Sequence, residues 1–357
     1  SCLALIDLTR DIHGKSGFTR SEFWLHSLSV ALIAEQICNQ CKFKRPELAF
    51  VAGLIHDIGK IPMDNLFEDL FIKLLDETVS RIIPFNRAES HSLGFNHAEL
   101  GHYLTRQWNF PQSISNTILY HHRPEVILKS FPVTERILQG AVFTANLISK
   151  SIQIGHSCDS ILREIPASIL RELKMTDGPS QRFLTTVIRR INLLAKYLNI
   201  AIRSLNPTPP AANGSVGDIL FIHGTHPPYH PLLSALSYQG YPIKALPKTP
   251  EQVDPNVRVI ISMPEPGNPL DVMLYEDEIK DNSRQSILKI FIIDVDIEKT
   301  VFNPDNGKDM LFLHQDNLDM GQLFHILDRF FGFVVSPKED DGSSSSSSLH
   351  PADDSGI

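Results

Sequence analysis

Two periodicities divide this chain. From Arg20 to Cys41 the apolar residues Trp24, Leu25, Leu28, Leu32, Ile33 and Ile37 recur at three-to-four spacing, which predicts a helix with one buried side. A second helix is predicted from Pro46, a favourable first-turn residue, through Phe50 and Leu54 to Asp57, with Gly59 as its stop ahead of Pro62. Asn96 and Glu99 have capping-box spacing before Leu100, Leu104 and Trp108 and so open a third helix. Pro111 opens a fourth, with Ile114 and Ile118 on one side, and Pro132 a fifth, where Ile137, Ala141, Ala145 and Ile148 recur around Asn146. Further helices are expected across 159–204, including the basic and apolar stretch Phe183 to Ile202. Residues 1–204 therefore read as one all-helical domain.

A stretch rich in Pro, Ala, Gly and Ser at 205–217 reads as a linker, and beyond it the period changes. Asp218 to His223, Val257 to Met263, Ile287 to Val295 and Met310 to His314 are short runs rich in Ile, Val, Leu and Phe, the signal of buried strands. Leu232 to Tyr238 and Met320 to Phe331 are predicted helical between or after such strands. A small α/β layer domain is therefore expected over 218–335. The Ser-rich, charged segment 336–357 carries no core pattern and reads as disordered. The sequence contains no internal repeat.

Length and charge narrow the picture further. With 357 residues, 42% of them hydrophobic, the chain can bury a substantial core in two domains. Its 33 basic and 41 acidic residues give a net charge of -8, which argues against non-specific attraction to nucleic acid or to an anionic bilayer, although a local basic cleft can still take a phosphate. No apolar run reaches membrane-spanning length, and Cys2, Cys38, Cys41 and Cys158 make no disulfide framework, so a cytoplasmic location without a membrane partner is expected. Cys38 and Cys41 form a lone C-x-x-C inside a helical pattern and read as two small apolar residues on a helix face. The chain opens abruptly on the apolar stretch Cys2 to Leu8, and a missing N-terminal portion is expected.

The chemistry lies in polar residues set into apolar-faced helices: Glu22 and His26, His56 and Asp57 with Lys60, then His97, then His121 and His122. Each is costly to bury without a partner, and a shared metal centre supplies one. A carboxylate can bridge two cations whereas an imidazole nitrogen ligates one, so Asp57 is the expected bridge of a two-metal cluster. Lys60 follows His56 by four residues and can aim an ammonium at a bound phosphate. Glu22 precedes His26 by four, so both project from one helix face. His91 and His102 read as ordinary exposed or packed histidines.

The segments Phe23-Trp24-Leu25-His26-Ser27, Ala52-Gly53-Leu54-Ile55-His56-Asp57-Ile58-Gly59-Lys60, Asn96-His97-Ala98-Glu99-Leu100-Gly101 and His121-His122-Arg123-Pro124 resemble the HD superfamily of metal-dependent phosphohydrolases. Within it they are most similar to the HDOD (HD-related output domain) signalling proteins, over about residues 18–150. That resemblance implies a bacterial signal-transduction module, often coupled to receiver or other regulatory domains. It also implies an N-terminal lobe of extra helix before the W-x-H-S segment, most of which this chain is expected to lack. Asn146 stands where catalytic HD proteins place an aspartate ligand, and a neutral amide binds a hard cation less strongly than a carboxylate. The HD-GYP phosphodiesterases, which hydrolyse cyclic di-GMP, resemble the same ligand pattern, but their G-Y-P signature closely follows the tandem histidines. Gly240-Tyr241-Pro242 lies far beyond them, before a probable strand, and reads as a turn.

The α/β domain is vaguely similar to a response-regulator receiver, with Asp218 to His223 as its first strand. Pro264 follows the strand ending at Met263 where a phospho-accepting receiver needs acids around Mg²⁺, so a degenerate, partner-binding domain is expected. Asp294 and Asp296 read as a solvated loop. The expected fold is thus an all-helical HD-type domain, a small receiver-like α/β domain and a disordered tail. The first expectation for function is a signalling protein with protein partners and a divalent-metal site, Fe, Mn or similar, holding two ions. Its metal ligands would be Glu22, His26, His56, Asp57, His97, His121, His122 and Asn146. The rival is an active phosphohydrolase on a cyclic dinucleotide or another phosphoester or nucleotide, with Asp57 and Lys60 in catalysis. An empty helical scaffold is the third.

Overall fold

The computed structural model describes residues 18–200, 218–222, 230–246, 254, 256–263, 288–293, 310–314 and 318–331. The expected linker at 205–217, the tail at 336–357, the stretch Cys2 to Leu8, and His223, Pro264, Asp294 and Asp296 lie outside them.

Helix α1, Arg20–Gln40, keeps the predicted bounds but buries almost every side chain from Phe23 to Ala34, so it runs through the core rather than along it. Its first turn is tied down by Arg20, which pairs with Asp64 at 2.6 Å. α2, Pro46–Ile55, starts on its proline as expected. The expected glycine stop at its end has a different cause. Gly59 has φ -62 and leads directly into α3, Lys60–Leu66, so it ends no helix by a left-handed turn. It is small because a Cβ there would lie 2.1 Å from the backbone oxygen of His97.

Two helices follow that the apolar pattern did not announce, α4, Glu68–Arg81, and α5, Phe85–Leu93. α6, His97–Gln107, carries the predicted capping box. The Asn96 side chain accepts from the backbone N–H groups of Ala98 and Glu99 at 3.0 and 3.2 Å, and Glu99 accepts from the Asn96 N–H at 3.0 Å. Then come α7, Gln112–Tyr120, α8, Pro124–Ser130, and α9, Val133–Ser151. α9 is buried without a break from Leu138 to Ser151, packed between α1, α2, α7 and α8. The strand β1, Ile161–Leu162, interrupts what the sequence presents as an all-helical region, and α10, Ala167–Glu172, and α11, Gln181–Tyr197, follow it. Two residues are too short a run to show a period.

The C-terminal part comprises β2 (Asp218–Ile222), α12 (Pro231–Tyr238), β3 (Ile243–Leu246), β4 (Val257–Ser262), β5 (Leu288–Ile293), β6 (Met310–His314), β7 (Leu318–Asp319) and α13 (Met320–Phe331). Among the described residues β2 to β6 make a parallel sheet in the order β3-β2-β4-β5-β6. Its alternation is visible in the burial: Ile219, Phe221, Val259 and Ile261 join the core shared with the helices, whereas Leu220, Ile222, Val257 and Ile260 form a second cluster on the other face. Gly240, at φ +84, turns the chain from α12 into β3, and Tyr241 beside it is buried against Phe324, so Gly240-Tyr241-Pro242 is a structural turn. α12 packs on α9, and β7 pairs antiparallel with β1, so the α/β part is docked on the helical part. No described helix is long and apolar enough to cross a membrane.

Candidate metal centre

The end of α2 and the turn after it bring His56 and Asp57 to the middle of the helical part, both buried. Around them lie His26 from α1, His97 from the first turn of α6, and His121 and His122 from the end of α7. Among the described residues their ligand atoms fall into two groups that share one member: His26, His56 and Asp57, and Asp57, His97, His121 and His122. The two oxygens of Asp57 divide between neighbours. Oδ1 is 3.1 Å from His97 Nε2 and 3.4 Å from His121 Nε2, while Oδ2 is 3.4 Å from His56 Nε2.

The other ring nitrogen of His26, His56, His97 and His121 is held from outside. His56 Nδ1 pairs with the Gly53 carbonyl at 2.8 Å, His121 Nδ1 with the Ile118 carbonyl at 2.6 Å, and His97 Nδ1 with the Glu89 carboxylate at 2.5 Å. A carbonyl or carboxylate accepts the Nδ1 proton and leaves a lone pair on Nε2, the arrangement that orients metal-ligating imidazoles. His26 Nδ1 lies 3.2 Å from Ser149 Oγ. Buried but without any hydrogen bond are Nε2 of His26, His56 and His121, Oδ1 of Asp57 and Oδ1 of Asn146. So many converging orphan acceptors at the centre of a protein are costly unless a cation satisfies them, and imidazole with carboxylate suits a divalent transition metal.

Electrostatics prepare the same state. Burial pushes His56 down to about 3 and holds His26, His121 and His122 below the usual imidazole value, so all four are neutral and free to ligate at neutral pH. For His97 burial is outweighed by Glu89 and Asp57, which keep its pKa above the usual value. Asp57 stays ionised although buried, because the positive charge around it, Lys60 above all, overcomes the desolvation.

Of the other expected site residues, Glu22 lies outside the ligand groups and Lys60 lies against Asp57. Glu22 is half-buried one turn before His26 and belongs to neither ligand group; its backbone oxygen accepts from the His156 N–H at 3.1 Å. Lys60 turns inward. Its ammonium donates to Asp57 Oδ2 at 2.7 Å and to the carbonyl and hydroxyl of Ser157, each at 3.0 Å, which uses all three N–H groups. It braces the carboxylate. His102 pairs with the Ser115 carbonyl at 3.0 Å, and His91 lies exposed beside Glu77, outside both groups.

Asn146 lines a cavity of about 300 Å³ that also meets His121, His122, Lys150, Arg87 and Arg163. Sequence reasoning did not find these last three residues, nor Glu89, Ser157 and Asp159. Glu89 had no signal because nothing in the pattern announced α5. Ser157 and Asp159 lie in a loop whose role depends on distant contacts, Ser157 to Asp57 at 100 positions along the chain and Asp159 to Phe85 at 74.

A helical unit thus gathers histidines from several helices around one buried aspartate, an arrangement that could hold a metal ion. Residues 2–124 match the family model of the HDOD domain, and the chain carries an HDOD domain. An uncharacterised protein of Treponema pallidum (strain Nichols) is 27% identical over 122 residues, 34% of this chain and 22% of that protein, so the match spans less than a quarter of the relative's length. Among solved structures, an HDOD domain protein of Geobacter sulfurreducens is similar at 26% identity, covering 57% of this chain and 67% of that one with a TM-score of 0.42. The response regulator MmoQ of Methylococcus capsulatus str. Bath is similar at 19% identity over 48% of this chain and 62% of that one, with a TM-score of 0.36.

Proposed function

We propose that this chain is a signal-transduction protein whose HDOD domain holds two divalent metal ions, Fe, Mn or similar, bridged by Asp57, and whose α/β part is a regulatory, receiver-like module for protein partners. The observation that carries the reading is the pair of ligand groups that share one carboxylate, with unsatisfied nitrogen and oxygen atoms aimed between them. His26 and His56 would hold one ion; His97, His121 and His122 the other. The order β3-β2-β4-β5-β6 supports the receiver-like part, since it is the doubly wound order of flavodoxin-like folds.

A second reading, hydrolysis of a cyclic dinucleotide or another phosphoester, is favoured by the cavity. Arg87, Lys150 and Arg163, against the one acid Glu125 and with Lys150 paired to Asp159, give it a basic lining beside His121 and His122, which suits a phosphate. Two ions bound at such a site supply a hydroxide nucleophile and stabilise developing charge. The residues here would hold Asp57 ionised through Lys60, keep His56 and His121 neutral by burial with their rings oriented by the carbonyl partners, and orient an anion with Arg163. Asn146 in the place of a carboxylate ligand weighs for the binding role.

Metal analysis of the protein purified without chelator, beside His56→Ala and Asp57→Ala, tests the first reading. Near-stoichiometric metal in the parent and its loss in both variants are expected, and a metal-free parent that takes up no Mn²⁺ or Fe²⁺ would reject it. Turnover of cyclic dinucleotides and a generic phosphodiester with Mn²⁺ or Fe²⁺, abolished by Asp57→Ala, would establish hydrolysis.

A further inference from the structure

The loop between α9 and β1, with Arg163 just past the strand, touches α1, the Asp57 turn, α5 and the end of α7. Gly155 has φ +68 and lies so close to α1 that a Cβ would be 2.2 Å from the backbone nitrogen of His26. The His156 N–H donates to the Glu22 carbonyl on that helix at 3.1 Å. Ser157, buried, donates its hydroxyl proton to Asp57 Oδ2 and accepts from Lys60, so it closes a triangle with the bridging carboxylate. Asp159 accepts from the Phe85 N–H at 3.1 Å, the first residue of the helix that presents Glu89 to His97, and pairs with Lys150 on α9. Arg163 donates to the His122 carbonyl at 3.2 Å.

The far end of this loop belongs to the other half of the protein. Ile161 and Leu162 pair with Asp319 and Leu318 of β7, Leu318 is fully buried, and β7 runs straight into α13. Any movement of the α/β part that pulls on β7 therefore pulls on a segment bonded to Asp57, to α5 and to His122.

We propose that residues 155–163 are a strap through which the C-terminal α/β part sets the geometry of the metal centre, with Ser157 as the positioning residue of Asp57. The proposal rests on the metal centre proposed above. Nothing in the strap ligates; it acts by fixing where the bridging carboxylate points. In outer-shell partners of this kind a substitution commonly lowers metal affinity by about 10–100-fold.

The test uses the full chain titrated with Mn²⁺, free ion being read by electron paramagnetic resonance, together with the imidazole nitrogen signals of the metal-free protein by NMR. Ser157→Ala is expected to lower Mn²⁺ affinity by about 10–100-fold and Ser157→Thr, which keeps the hydroxyl, to restore it. Leu318→Asp, outside both ligand groups, is expected to weaken Mn²⁺ binding and to shift the His56 and His97 signals while far-UV circular dichroism keeps its helical form; Leu318→Ala serves if that variant does not fold. Parent-like affinity and unmoved signals in the Leu318 variant would overturn the strap. A parent chain that takes up no Mn²⁺ rejects the metal reading instead, and the metal-free imidazole signals then decide the strap alone: moved, it stands; unmoved, it falls.

Discussion

The Nε2 atoms of His97 and His122 face each other across 2.9 Å. His97 already gives its Nδ1 position to Glu89, so the gap between the two rings holds a single proton or a cation, and the two compete for it. Because Glu89 and Asp57 keep His97 protonated above the usual imidazole range, Mn²⁺ affinity is expected to rise about tenfold per pH unit below the raised value and to level off above it. Calorimetry in buffers of different ionisation heat should find one proton released per ion bound at that site. Proton-independent binding would contradict it.

Glu89→Gln keeps the size of the side chain and removes its charge. The His97 pKa should fall, visible in its NMR titration, and metal affinity should drop about 10–100-fold, because the carboxylate both fixes the ring and raises its basicity. A variant that binds metal as the parent does would show Glu89 to be a packing residue only.

Gly59→Ala places a methyl group 2.1 Å from the His97 oxygen and 2.9 Å from the Gly101 nitrogen, both backbone atoms that cannot rotate away. α6 must move to admit it, and His97 moves with it. Chemical denaturation should show a loss of roughly 1–3 kcal/mol or more, the scale of overpacking in a core, with metal affinity reduced in parallel.

The chelated protein should weaken in mild acid. His56, held down to about 3, takes no proton in the folded state until far below the value of about 6.5 at which the unfolded chain takes one. Its contribution is therefore complete above that unfolded value and is lost as pH falls towards 3. At pH 5 the loss is about 2 kcal/mol for this group alone. His26, His121 and His122 act in the same direction. His97 opposes them, since its raised pKa contributes below about 6.5 and the contribution fades as pH rises. Denaturation midpoints measured with chelator present should rise from pH 5 to about 6.5 and climb no further above it; a flat profile below about 6.5 would mean that the imidazoles are hydrated.

How much of this was legible in the chain depends on whether a residue's role is local. The Asn96 to Glu99 capping box, the Pro46 start of α2 and the strand runs at Val257 and Met310 are written in short windows, and the structure has them where the pattern puts them. The histidines and Asp57 were recognisable because polar side chains in apolar helices need a reason. Glu89, Ser157 and Asp159 were not, because each matters through one distant partner and none breaks a pattern. Gly59 was seen but for the wrong reason: a glycine after a helix usually ends it, and only the packed structure reveals the His97 backbone against it. Lys60 was expected to aim its ammonium at a bound phosphate, and the triangle it forms with Ser157 and Asp57 had no signal in the sequence.

Helix α9 is hidden along its whole second half, with the histidine-bearing helices on one flank and α12 of the α/β part on another. An element enclosed in this way cannot be the last to arrive or the first to leave. Heating should thus melt the cluster, its cavity and the docked sheet in one cooperative step, so the protein either presents an assembled centre to its surroundings or none.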